Sequence, residues 1–118
     1  MAVAGGLGSL ARYAVGGALA PASTRWPWGT LVVNVVGAAL IGLVVAVCAA
    51  RPDGGRERVV LATGFLGGFT TFSSLALETV ELLDRRAFAT AAAYVVVTLV
   101  AGVAACAAGL ALGAALRR

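Results

Sequence analysis

Four blocks of apolar residues, roughly 2–20, 28–50, 59–77 and 87–116, take up nearly the whole chain. Each approaches or exceeds the roughly 20 residues that cross a hydrocarbon core about 30 Å thick as a helix. A chain of 118 residues that is 61% hydrophobic and 12% charged, with a mean hydropathy of +1.00, carries more apolar surface than a soluble core of that size can hide. The expected fold is an all-α membrane protein, a single four-helix transmembrane domain over residues 1–118.

Block one ends in Ala18, Leu19 and Ala20, small residues that mimic a secretory cleavage site. No basic side chain precedes Leu7, however, and Arg12 interrupts the run where a signal would be most hydrophobic, so it is expected to remain as a span. Cys48 and Cys106 lie inside the second and fourth blocks, where a thiol behaves as a small apolar group. Their separation fits neither a disulfide framework nor a metal motif.

The connections are short and polar. Pro21 to Pro27 carries Ser23, Thr24 and Arg25 as turn chemistry, with Trp26 and Trp28 where amphipathic rings favour the membrane interface. RPDGGRER, Arg51 to Arg58, is a tight charged loop, and Glu78 to Arg86 is expected to turn the third span into the fourth. With four spans, Arg51, Arg56, Arg58, Arg117 and Arg118 share one side and Arg25, Arg85 and Arg86 the other. That weak bias mildly favours cytoplasmic termini and is small enough to suit insertion in both orientations. The net charge of +4 is membrane-flanking; without basic residues interleaved with aromatics it does not indicate a nucleic-acid partner.

Within the spans, polar residues are few. Asn34, Gly37, Ala38, Ile41 and Gly42 share one face of the second span by their spacing of three and four. Small residues let helix backbones approach closely, and Asn34 either bonds a neighbouring helix, worth about 1 kcal/mol, or points an N–H donor into a polar path. Tyr94 and Thr98 place two hydroxyls on one stripe of the fourth span, serving as helix–helix glue or as a track for a small solute. Asp53, Glu57, Glu78, Glu81 and Asp84 are expected in loops or at span ends, which leaves Arg12 as the ionisable residue inside a span. A guanidinium there snorkels to headgroups or faces water, and either way the path suits an anion.

The third block contains GFLGGFTTFSS, Gly64 to Ser74. Gly67 and Gly68 each lower helix propensity by about 1 kcal/mol relative to Ala, and Thr70 and Thr71 are β-branched, so this helix is expected to break. Irregular backbone survives at membrane depth only inside protein or along a wet path, and a break offers carbonyls to a cation and amides to an anion. Phe72 follows, with a ring edge of positive potential.

Over essentially its whole length the chain resembles the Fluc/CrcB family of fluoride channels, through GGLGSLARY, WGTLVVNVVGAALIG and GFLGGFTTFSS in that order. The resemblance implies a passive, fluoride-selective channel in the cell inner (plasma) membrane, an antiparallel dual-topology dimer with two pores and a structural, non-transported Na⁺ at its centre. By position it assigns the Na⁺ to backbone carbonyls of Gly67 and Thr70, and the fluoride pore to Asn34, Phe72, Ser73, Ser74, Tyr94 and Thr98; Arg12 matches the first-span arginine. The family pattern has a second phenylalanine where this chain has Leu75. That departure is compatible with a homodimer, conducting normally or weakly, or with a heterodimer whose partner supplies the ring. A small multidrug exporter has similar length but needs a first-span carboxylate where this chain has Arg12, and a noncatalytic assembly subunit leaves GFLGGFTTFSS unexplained. An enzyme is not expected: histidine is absent and no nucleophile motif or paired carboxylate lies in a span.

Overall fold

In hydrocarbon the backbone can bond only to itself or to enclosed polar groups, and the described residues form helices joined by short turns and breaks, with no strand among them. The computed structural model describes residues 1–19, 26–49 and 54–117. The expected turn residues Pro21, Ser23, Thr24 and Arg25, the span ends Ala20 and Ala50, and Arg51, Pro52, Asp53 and Arg118 lie outside the described residues.

Helix α1, Ala2–Ala18, has 17 residues, and α2, Trp28–Cys48, has 21. The third crossing is composite. A short α3, Gly54–Arg58, leads into a π-helical segment, Val59–Leu66, and then into α4, Gly67–Phe69. After two non-helical residues α5, Phe72–Asp84, completes the crossing, and α6, Phe88–Ala115, returns as a helix of 28 residues. Among the described residues three stretches, Trp28–Cys48, Gly55–Asp84 and Phe88–Ala115, are long and apolar enough to cross a membrane. The 52 Å long axis of the bundle exceeds a hydrocarbon core of about 30 Å.

Two helix boundaries differ from the sequence expectation: Gly54–Arg58, placed in the charged loop, is helical as α3, and the helix after the break runs past Leu77. Helix α5 continues to Asp84, which puts Glu78, Glu81 and Asp84, expected in loops or at span ends, on this helix. The Glu78 carboxylate is satisfied by two hydroxyls from other helices, so the polar residue does not terminate the helix. The turn that follows is tight. The Arg86 N–H bonds to the Leu83 carbonyl and the Ala87 N–H to the Leu82 carbonyl, with Arg86 in the left-handed region at φ 58°. This is the Schellman arrangement, closed here without a glycine. It sends α6 back along α5 and brings Tyr94 opposite Glu78.

Helix α2 packs along α6 at backbone distance. A Cβ on Gly42 would overlap the Cys106 carbonyl, and one on Gly109 would overlap the Ala39 carbonyl, so the two helices press main chain to main chain in both directions. Helix α1 lies in the same way on the π-helical segment, where a Cβ on Gly8 would overlap the Phe65 carbonyl. Near the α5–α6 turn, Leu31, Leu75, Leu82, Ala91 and the fully enclosed Tyr94 form a core cluster, with Trp26 packed against it. Large apolar side chains of α6, among them Val96, Val100, Val103 and Leu112, remain exposed, as a lipid-facing surface requires.

Candidate functional site

The site starts from the interruption of the third crossing. Thr70 and Thr71 take extended conformations, φ −76°, ψ 157° and φ −150°, ψ 113°, between two helical stretches. The helix breaks where GGFTT predicts it, and a side chain from α2 holds the gap open. The Asn34 carboxamide accepts from the Thr71 N–H at 2.8 Å and donates through Nδ2 to the Thr71 carbonyl at 3.2 Å. One side chain thus pairs with both main-chain groups of one residue, as a neighbouring strand would.

The hydroxyls at the break have separate roles. Thr70 Oγ1 donates back to the Leu66 carbonyl at 3.0 Å, so this hydroxyl is spent within its own turn. Thr71 is the N-cap of α5: its Oγ1 accepts from the Ser74 N–H at 3.1 Å and donates to Ser74 Oγ at 3.1 Å. Ser73 Oγ lies 3.1 Å from the same Thr71 oxygen, and Ser9 of α1 donates to the Gly68 carbonyl at 3.4 Å. Thr71 is therefore the hub of the hydroxyl cluster.

A second polar knot lies further along α5. Thr30 of α2 donates to Glu78 Oε1 at 2.7 Å, and Tyr94 of α6 donates to Glu78 Oε2 at 2.5 Å. Each carboxylate oxygen holds a hydroxyl, and three helices meet through one acid. Thr98, one turn beyond Tyr94, donates to the Tyr94 carbonyl at 2.7 Å and is buried.

Three hollows surround the break. An open groove of about 890 Å³ runs between α1, the start of α2 and the break, with Ser9, Arg12, Thr30, Thr71 and Ser74 on its walls. A hollow of about 310 Å³ brings together Asn34, Thr70, Thr71, Phe72, Leu75 and Thr98. A smaller one of about 250 Å³ is lined by Asn34, Gly37, Leu66, Gly67 and Thr70. Thr71 is common to the first two and Asn34 to the last two, so the break stands between all three.

The residues singled out from the sequence are thereby located. Asn34, Thr70, Phe72, Leu75 and Thr98 meet in the 310 Å³ hollow, while Arg12 and Ser74 line the groove on the α1 side. Gly67 and Ser73 are exposed on the protomer, and Phe72 is 79% exposed. Tyr94 is enclosed in the core cluster beside Leu75, which is itself buried. Sequence reasoning missed Thr30, Thr71 as a cap, and Glu78. Thr30 precedes Asn34 by one turn on the same face of α2, and Thr71-x-x-Ser74 after paired glycines carries an N-cap pattern, so both left a trace. Glu78 left none, because its partners are 48 and 16 residues distant.

Among the described residues no group of histidine, cysteine and carboxylate side chains is arranged to hold a metal. Main-chain oxygen at the break is the available donor chemistry, suited to a hard cation. In a continuous helix the Gly67 carbonyl would accept from the Thr71 N–H and the Thr70 carbonyl from the Ser74 N–H. Here the first donor goes to Asn34 Oδ1 and the second to Thr71 Oγ1. Both carbonyls thereby lose the donor that a continuous helix would give them.

A family profile described as "CrcB-like protein, Camphor Resistance (CrcB)" matches residues 1–110. The chain belongs to the CrcB family. It is 49% identical over 115 residues to a "Fluoride-specific ion channel FluC" of Agrobacterium fabrum, covering 96% of this chain and 92% of that one. A protein of the same name from Bordetella petrii is 48% identical over 118 residues, 99% of this chain and 91% of the relative. Another, from Caulobacter sp. strain K31, is 45% identical over 113 residues, 93% and 88%. These CrcB relatives align with nearly the whole chain, the break and the α2 face that carries Asn34 included.

Proposed function

We propose that this chain is a passive, fluoride-selective channel of the plasma membrane, in which a single four-span domain over residues 1–118 forms an antiparallel homodimer. The observation that carries the reading is the Asn34-pinned break beside Phe72, in a chain whose relatives are named as fluoride-specific channels. It is a channel and not an enzyme: fluoride crosses unchanged.

Fluoride is small and strongly hydrated, so a narrow dry path must replace its water with several donors at once. The groove with Arg12 draws the anion in by charge, and the hydroxyls of Ser73, Ser74 and Thr71 meet it at the break. Asn34 retains one Nδ2 hydrogen beyond its bond to Thr71, and the edge of the Phe72 ring presents positive potential without a fixed charge. The hydroxyl of Thr98, on the wall of the hollow beside Phe72, continues the track along α6 by turning from its resting acceptor, while the enclosed Tyr94 anchors Glu78 behind it. Weak neutral donors let the anion leave again, which a buried ion pair would not.

The dimer has a physical motive. Gly67, Phe72 and Ser73 lie exposed on either side of the break, and a serine hydroxyl beside carbonyls that have lost their helical donors is poorly suited to face lipid. A second copy, related by a two-fold axis in the membrane plane, covers both breaks and brings the Gly67 and Thr70 carbonyls of each subunit to the axis. Those carbonyls would hold a structural Na⁺, whose charge neutralises the converging carbonyl dipoles. Leu75 is part of the protomer's own core, which favours a homodimer that tolerates the missing ring over a heterodimer. The exporter alternative is less suited, since both Glu78 oxygens are taken by hydroxyls and Arg12 occupies the first span.

Hydrogen fluoride enters cells as a neutral weak acid and ionises at cytoplasmic pH; a leak for the anion lets it leave down its electrochemical gradient. Expression in cells deprived of their own fluoride export tests this reading. Restored growth in acidic fluoride medium and lower intracellular fluoride are expected, and unchanged fluoride accumulation despite membrane insertion would refute it.

A further inference from the structure

Asn34 stands on the walls of both smaller hollows, the one beside Phe72 and Thr98 and the one beside Gly67. Its carboxamide is committed to one residue, with Oδ1 taking the Thr71 N–H and Nδ2 holding the Thr71 carbonyl. The Thr71 N–H is the donor that an uninterrupted helix would give to the Gly67 carbonyl. The Thr70 carbonyl loses its donor in parallel, because Thr71 Oγ1 takes the Ser74 N–H.

Resting on the sodium reading proposed above, we infer that Asn34 is a positioning residue for the cation as well as a donor to the anion. By drawing off the Thr71 N–H it keeps the Gly67 carbonyl open, so one side chain ties cation binding to the geometry of the anion path. Remove its oxygen and the Thr71 N–H competes with Na⁺ for that carbonyl. The coupling is reciprocal: Na⁺ on the carbonyls leaves Thr71 to Asn34 and so stiffens the anion path.

The test is the Na⁺ dependence of thermal unfolding of the purified full chain in detergent, with Na⁺ replaced stepwise by choline at constant ionic strength. Wild type is expected to gain stability with Na⁺ along a saturable curve. In Asn34→Ala the midpoint of that curve moves to about tenfold higher Na⁺, within the range of ordinary coupling energies. Asn34→Asp keeps the acceptor for the Thr71 N–H, so its midpoint stays within about threefold of wild type while fluoride flux falls through the added negative charge. A merely structural role would lower the unfolding temperature of Asn34→Ala by the same amount at every Na⁺ concentration. Should that variant not fold, Thr71→Val returns the Ser74 N–H to the Thr70 carbonyl and must shift the midpoint in the same direction. A wild-type protein insensitive to Na⁺ would overturn the sodium reading itself. A sensitive wild type with an unmoved midpoint in the folded variant would overturn only the role of Asn34.

Discussion

Tyr94→Phe removes one oxygen from the protein and little else. The ring is fully enclosed against Leu31, Leu75, Leu82 and Ala91, and meets Trp26 edge-on at 5.8 Å, none of which the substitution disturbs. What is lost is a 2.5 Å hydrogen bond to Glu78 Oε2, whose companion oxygen is held by Thr30 at 2.7 Å. A hydrogen bond to a charged group contributes about 1.5–3 kcal/mol, so a loss of about 2 kcal/mol is expected, or roughly 30-fold in the unfolding constant. Thr30→Val should cost a similar amount. The double variant should lose less than the sum, because after the first loss the freed carboxylate oxygen lets the side chain reorient and its second bond weakens. Titration with a denaturing detergent at fixed protein concentration, followed by tryptophan fluorescence, measures all three, with Trp26 beside Tyr94 as a reporter. A loss under about 0.5 kcal/mol for Tyr94→Phe would show that the bond to Glu78 contributes nothing and that three helices do not meet through this acid.

Four further substitutions probe the packing, the pore and the cation site. Gly109→Val pushes a side chain into the Ala39 carbonyl and should destabilise the fold by about 1–3 kcal/mol in the same titration, whereas Gly17→Ala on α1, with open space around it, should be neutral or slightly stabilising. Phe72→Ile removes a ring that is 79% exposed on the protomer, so fluoride efflux from liposomes should fall at least about tenfold while unfolding of the protomer is unchanged. Thr70→Ser keeps the back-bond to the Leu66 carbonyl and the main-chain oxygen, so Na⁺-dependent stability should stay within about 1 kcal/mol of wild type; a large loss would mean that the threonine methyl group, and not the carbonyl alone, supports the cation.

Features carried by local chemistry were legible in the sequence. The apolar blocks set the helices, and GGFTT set the break, because low helix propensity and β-branching act within one turn. Hydropathy falls at Glu78 and so points to an end of the third crossing at Leu77, yet α5 runs on, since Thr30 and Tyr94 satisfy that carboxylate from distant parts of the chain. The open choice for Asn34, glue or donor, turned on the same limitation. Its face on α2 followed from spacing, but its bonding to both main-chain groups of Thr71 depends on how α2 meets the break. The π-helical winding of Val59–Leu66 had no local signature, and it lies where α1 presses onto the main chain at Gly8. Thr71 illustrates both sides: its residue type pointed to the break, while its capping of α5 and its place between groove and hollow emerged only in three dimensions.

Ion release from liposomes that contain only this purified chain tests the central claim most directly. With K⁺ and valinomycin clamping the membrane potential and no pH gradient, fluoride should leave rapidly and follow the potential, while chloride stays inside. Retained fluoride, equal release of chloride, or fluoride movement that requires a proton gradient would contradict a self-sufficient, passive and fluoride-selective pore.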